Sequence, residues 1–125
     1  MTFGRLAMGV LYVGAGLAHL ARPQFFLAIV PDYLPAHREL VLVSGLAEVA
    51  AGIGVLVSPT RRLAAYGLVA LLLCVFPANV WMAQHPERYP ALPVWVLWAR
   101  LPLQGVLIAW AWVYARPQSS LNAAA

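Results

Sequence analysis

Four apolar stretches dominate this chain, and each is close to the roughly 20 mostly apolar residues that a membrane-crossing helix needs. They cover residues 3–20, 40–57, 63–82 and 94–114. A proline follows each stretch within a few residues, where a helix is expected to stop. The pattern predicts an all-α fold, an integral membrane antiparallel four-helix bundle. Residues 1–117 would form this single domain, and residues 118–125 a disordered tail.

The composition favours a membrane protein over a soluble domain. Hydrophobic residues make up 63% of the chain and charged residues 10%, whereas about 25% is usual for charged residues in soluble chains. The basic residues are all arginines, and they are scattered rather than gathered into a patch, which argues against nucleic-acid binding. A single cysteine, Cys74, cannot form an intrachain disulfide, which argues against thiol–disulfide chemistry by this chain alone.

The distribution of arginine predicts an orientation. Four spans place both termini on one side, and that side carries four arginines and no acidic residue: Arg5, Arg61, Arg62 and Arg116. The other side mixes basic and acidic residues: Arg22, Arg38, Arg88, Asp32, Glu39 and Glu87. Cytoplasmic loops are enriched in arginine and lysine. We therefore expect cytoplasmic termini in a bacterial inner membrane. The apolar segment 25–30, in the first long loop, is expected to lie at the interface or re-enter over one end of the bundle.

Each span also carries a strongly polar side chain, which is costly in a membrane and is usually functional. These residues are His19, Glu48, Asn79, Arg100 and Gln104. A rise of about 1.5 Å per residue places all five in the outer half of the bundle. On span one, Tyr12 shares a helical face with His19. Pro77 and Pro102 interrupt spans three and four beside the polar residues, where they free the carbonyls of Leu73 and Trp98 and could open a small cavity.

Two interpretations of this polar cluster remain open. In one, a Glu48–Arg100 ion pair, surrounded by His19, Asn79 and Gln104, only fixes the helix register. In the other, Glu48 is catalytic as a proton relay, and the other four residues bind a quinone or another small ligand. Buried ion pairs contribute little net stability, which favours the second interpretation. The histidine spacing matches no metal-ligand motif, so no metal site is expected.

Several short motifs resemble the DoxX-like family of small four-helix bacterial membrane proteins. The resemblance spans about residues 9–114 and includes GLAH at 16–19, RPQFF at 22–26, SGLAE at 44–48, PTRRLAA at 59–65, FPANVWMA at 76–83 and RLPLQ at 100–104. The polar positions that recur in that family match His19, Glu48 and Asn79. The family's name comes from a subunit of a thiosulfate:quinone oxidoreductase. Other members resemble partners in membrane oxidative-stress complexes, and eukaryotic relatives look like receptor-assembly chaperones. The resemblance implies fold and location more firmly than a reaction.

The leading hypothesis is a redox-associated membrane subunit with an outer-half pocket for a quinone or small ligand. If the chain takes part in catalysis, it would do so as an oxidoreductase subunit, with electrons supplied by a partner or substrate. A homo-oligomer or a larger membrane complex is expected, because so short a chain leaves much helix surface uncovered. The first alternative is a non-catalytic scaffold or assembly factor. A proton-coupled transporter is less favoured, because four-span drug exporters carry their membrane carboxylate in the first helix, and span one here has none.

Overall fold

A computed structural model describes residues 2–117, which form five α-helices and two short 3-10 turns, with no strand in this range. The helices are α1 (Phe3–Ala21), α2 (Pro23–Leu27), α3 (His37–Leu56), α4 (Arg61–Gln84) and α5 (Val94–Ala115), and the 3-10 turns are Ser58–Thr60 and Pro86–Arg88. The all-α prediction is confirmed. The predicted tail, residues 118–125, lies outside the described residues.

The four long helices coincide with the four apolar stretches to within three residues at every end. All four are long and apolar enough, by length and composition, to cross a membrane, which suggests a multi-pass membrane protein. Proline marks several of the boundaries: Pro23 begins α2, and Pro59 and Pro86 lie in the two 3-10 turns. Pro77 and Pro102 lie inside α4 and α5, as the sequence predicts.

Helices α1 and α3 form the most extensive helix pair, and glycines allow their backbones to meet. A methyl group added at Gly16 would lie 2.5 Å from the carbonyl oxygen of Gly45, and one added at Gly52 would lie 2.9 Å from that of Gly9. Small residues permit such close contact between apolar helices. Because the early glycine of α1 meets the late glycine of α3, the two helices run past each other in opposite directions.

The second pair is α4 with α5, and the two pairs join around one apolar core. That core contains residues from the N-terminal part of α1, the C-terminal parts of α3 and α5, and the beginning of α4: Met8, Tyr12, Val55, Ala65, Leu68, Ala111, Tyr114 and Ala115. A smaller cluster (Met82, Ala83, Tyr89 and Leu97) packs at the opposite end of α4 and α5. We call the end with the large core the arginine end, for the side chains described next.

At the arginine end, arginine side chains donate hydrogen bonds to backbone carbonyl groups near the C-terminal ends of α3 and α5. Arg5 Nε donates to the carbonyl of Val55 at 2.6 Å, near the end of α3. Arg61 Nη1 donates to the carbonyls of Tyr114 at 2.7 Å and Arg116 at 3.1 Å, at the end of α5. The last carbonyls of a helix lack intrahelical partners and carry partial negative charge, so a guanidinium stabilises them.

Candidate functional site

A cavity of about 460 Å³ lies between the two helix pairs, beyond the large core. All four long helices, α2 and the segment after it contribute to its wall, which is mostly apolar, with leucine the commonest residue. All five polar residues that the sequence singles out line this cavity: His19, Glu48, Asn79, Arg100 and Gln104. The grouping inferred from depth and helical periodicity is therefore found in the structure. The volume lies within the usual range for small-molecule sites, about 300–1,000 Å³.

His19 and Glu48 meet across the α1–α3 contact. His19 Nδ1 lies 3.2 Å from Glu48 Oε2 and 2.8 Å from the carbonyl oxygen of Ala15. A backbone carbonyl can only accept, so Nδ1 carries a hydrogen and donates it to the carbonyl of Ala15. The imidazole ring also stacks on Phe26, with centroids 3.8 Å apart. These contacts hold the ring of His19 in one orientation at the cavity wall.

Two buried oxygen atoms that belong to residues of the cavity wall have no hydrogen-bond partner within residues 2–117. They are Oε2 of Glu48, whose side chain is 12% exposed, and the hydroxyl of Tyr12, which is 5% exposed. Buried polar groups are almost always paired, because an unpaired one loses its hydration without compensation. The sequence places Tyr12 on the face of His19 but does not assign it a role.

On the opposite wall, Asn79 and Gln104 form a continuous hydrogen-bonded chain between α4 and α5. Asn79 Nδ2 donates to Gln104 Oε1, and Gln104 Nε2 donates to the carbonyl of Leu72. Arg100 Nε donates to Asn79 Oδ1 at 3.2 Å. The carbonyl that Gln104 reaches is one residue before Leu73, whose carbonyl Pro77 is expected to free. Asn79 and Gln104 thus have the partners that Glu48 and Tyr12 lack.

The predicted Glu48–Arg100 ion pair is wrong. Within the described part of the chain, Glu48 lies beside His19, and Arg100 bonds to Asn79. The reason is the pairing of the helices: α3 packs mainly against α1, and α5 packs mainly against α4. The two side chains therefore reach the cavity from opposite helix pairs, and each has its nearest polar neighbour on its own pair.

The loop segment predicted to lie over one end of the bundle forms a cover for the cavity. Phe26, Ile29, Val30, Pro31 and Leu34 contribute to its wall. A second loop holds this cover in place: the Tyr89 hydroxyl donates to the carbonyl of Ala28 at 2.7 Å, and Arg88 Nη1 donates to Asp32 Oδ2 at 2.7 Å. Burial raises the pKa of Tyr89, so its hydroxyl keeps its proton. The hydrogen bond to Asp32 raises the pKa of Arg88.

The described residues contain no group of three or more histidine, cysteine, aspartate or glutamate side chains that could hold a metal ion. Comparison with protein-family models matches residues 8–115 to the family described as Domain of unknown function (DUF8561). No curated protein and no solved structure matches the chain. None of these comparisons bears on the resemblance to the DoxX-like family, which stays a prediction.

Proposed function

The chain belongs to the DUF8561 family, a domain of unknown function, and we propose that it is a multi-pass membrane protein whose cavity binds a small, partly polar ligand. The observation that carries this proposal is the pair of unpartnered oxygens on Glu48 and Tyr12. A network that served only to fix helix register would satisfy its own polar groups, as Asn79 and Gln104 do. A ligand in the cavity supplies the missing hydrogen bonds.

The class of function that fits best is a redox-associated membrane subunit that binds a quinone-type headgroup. The largely apolar wall suits a ring, and the polar groups at opposite sides of the cavity suit its oxygens. Glu48 is the residue that would accept or release a proton, with His19 beside it. Arg100 would donate to a ligand oxygen, and Asn79 would position Arg100. The electrons would come from a partner protein or a substrate. The resemblance to the DoxX-like family favours the same class.

The proposed setting is a bacterial inner membrane crossed by an antiparallel four-helix bundle. The opposite order of the contacts between α1 and α3 supports the antiparallel arrangement. The arginines at one end support cytoplasmic termini, with the cavity in the outer half. A reporter fused after Pro117 tests the orientation: green fluorescent protein should fluoresce there and alkaline phosphatase should be inactive. The reverse result would place the cavity in the inner half.

The ligand itself is tested by native mass spectrometry and absorbance on protein purified in mild detergent, comparing wild type with Glu48→Gln. Glu39→Gln is the control, because it removes a carboxylate that is exposed, lies on the same helix as Glu48 and does not line the cavity. A small molecule that co-purifies with wild type and with the control, but not with Glu48→Gln, supports the proposal. Identical, ligand-free spectra for all three proteins would favour the scaffold.

One observation favours this second function, a membrane scaffold or assembly factor. A groove of about 510 Å³ runs along the outside of α3 and the start of α4 and is lined largely by small residues, including Ala47, Ala50, Ala51, Gly54 and Ala64. Such grooves let another membrane helix approach closely. If the groove holds a second copy or a partner subunit, Ala50→Leu should reduce its association in detergent. If Ala50→Leu leaves the association in detergent unchanged, the groove no longer supports a scaffold function.

A further inference from the structure

We infer that the cavity selects a ligand that donates a hydrogen bond from a neutral hydroxyl, so that it binds a hydroquinone more tightly than the corresponding quinone. This inference rests on the proposed function and specifies the chemical form of the ligand. Two polar groups of the cavity wall lack a hydrogen-bond partner within residues 2–117, and whether each needs a donor or an acceptor determines which ligand fits.

The first step is the hydrogen-bonding character of Glu48. Its Oε2 faces the N–H of His19 at 3.2 Å, but that hydrogen is donated to the carbonyl of Ala15. The ionised carboxylate of Glu48 can only accept hydrogen bonds, and within residues 2–117 no donor is bonded to its Oε2. The missing group is therefore a donor. The carbonyl oxygens of a quinone cannot provide one, whereas the hydroxyl of a hydroquinone can.

The second step concerns charge. A cationic amine would also donate to Glu48, but it would share the cavity with the permanently charged guanidinium of Arg100. Like charges in a low-dielectric, mostly apolar space repel each other strongly. An uncharged donor avoids this repulsion. A hydroxyl also has lone pairs, so a second hydroxyl on the same ring can accept from Arg100 on the opposite wall.

Tyr12 should strengthen the binding of the quinone and of the hydroquinone alike. Its hydroxyl is buried and unpartnered, but a phenol can donate or accept. It can therefore bond to either form of the ring. Selection of the hydroquinone depends on Glu48, and this separates the expected effects of substitutions at the two positions.

The experiment compares three probes that share a decyl-substituted benzene ring: the hydroquinone, its dimethyl ether and the corresponding benzoquinone. Binding is measured by tryptophan fluorescence in anaerobic detergent solution. Wild type should bind the hydroquinone at least about tenfold more tightly than the other two, the factor expected for one hydrogen bond to a charged group. The comparison of hydroquinone with ether needs no variant, so it does not depend on whether a mutant folds.

Two variants and a control assign the effect to Glu48. Glu48→Gln should bring the affinities for hydroquinone and quinone to within about threefold of each other, since an amide can both donate and accept. Tyr12→Phe should weaken both forms by similar factors, and Glu39→Gln, at an exposed position of the same helix that does not line the cavity, should leave all affinities unchanged. Equal affinity of wild type for the three probes would overturn the inference and leave a ligand site in place. Absence of binding by all three would overturn the inference together with the proposed quinone-type ligand.

Discussion

Asn79 donates a buried hydrogen bond from Nδ2 to Oε1 of Gln104, which joins α4 to α5 at equivalent places in the two helices. Each of the two residues follows a helix-interrupting proline by two positions, Pro77 in α4 and Pro102 in α5. A proline inside a membrane helix leaves a backbone carbonyl without its usual donor, and neighbouring side chains can replace that donor. Gln104 donates to the carbonyl of Leu72, one residue before the carbonyl of Leu73 that Pro77 frees. The two amides therefore stabilise the α4–α5 pair.

The bond between these amides should appear as a coupling energy in a double-mutant cycle. Asn79→Ala and Gln104→Ala are each expected to destabilise the protein by about 1–3 kcal/mol, because each leaves a buried partner unsatisfied. Together they should cost less than the sum of the two, with a coupling of about 0.5–2 kcal/mol, which is typical of polar pairs between membrane helices. The measurement is equilibrium unfolding by sodium dodecyl sulfate in mixed micelles. Gln84→Ala, at an exposed position, is the control. Strict additivity would show that the two amides act independently.

The sequence was sufficient to predict that five polar residues share one cavity. Their depth follows from the helical rise, and their positions on the four helices follow from the apolar stretches. The pairing among them was not predictable, because it depends on which helices pack together. Glu48 lies beside His19 because α3 packs on α1, and Arg100 bonds to Asn79 because α5 packs on α4. The role of Tyr12 depends on whether its hydroxyl finds a partner, which only the tertiary structure shows.

The arginines that predict orientation also have structural roles. Arg61 is almost fully buried and donates to two carbonyls at the end of α5. Arg61→Met should lower the free energy of unfolding by about 1.5–3 kcal/mol, the usual value for hydrogen bonds made by a charged group. The measurement is again unfolding in mixed micelles, and Arg38→Met, at an exposed position, should change it little. Equal stability of the two variants would mean that water or lipid replaces the guanidinium.

The stability of the cover over the cavity should depend more on the hydrogen bond of Tyr89 than on the Arg88–Asp32 ion pair beside it. Tyr89→Phe removes the bond to the carbonyl of Ala28, which is expected to contribute about 1 kcal/mol. Hydrogen exchange across residues 23–34, followed by mass spectrometry, should speed up in this variant. Tyr33→Phe is the matched control, because Tyr33 is largely exposed and packs edge-on against Trp81. Asp32→Asn breaks an exposed pair and should have a smaller effect than Tyr89→Phe.

The hydrogen bond from Tyr89 to the carbonyl of Ala28 should make the stability of the cover fall at alkaline pH. Burial raises the pKa of Tyr89 above its ordinary value of 10.0, so the folded state favours the protonated hydroxyl. Its contribution to stability is complete below the pKa of the unfolded chain and is lost as the pH rises through the folded value. In wild type, the protection factors of residues 23–34 against hydrogen exchange should stay high up to about pH 9, below the tyrosine pKa, and should fall above about pH 10. Tyr89→Phe should lack this transition, and a transition of equal size in both proteins would assign it to another group.

The contact between α1 and α3 gives the sharpest test of the packing, because the chain contains a matched pair of glycines on one helix. A methyl group at Gly16 would meet the carbonyl oxygen of Gly45 at 2.5 Å and the backbone nitrogen of Val49 at 2.8 Å, neither of which can move without shifting a helix. A methyl group at Gly14 would meet nothing within 4 Å. Gly16→Ala should therefore destabilise the protein by about 1–3 kcal/mol, whereas Gly14→Ala should be neutral or slightly stabilising, since alanine favours a helix over glycine by about 1 kcal/mol. Unfolding in mixed micelles measures both, and equal effects at the two positions would contradict the close α1–α3 contact that brings His19 to Glu48.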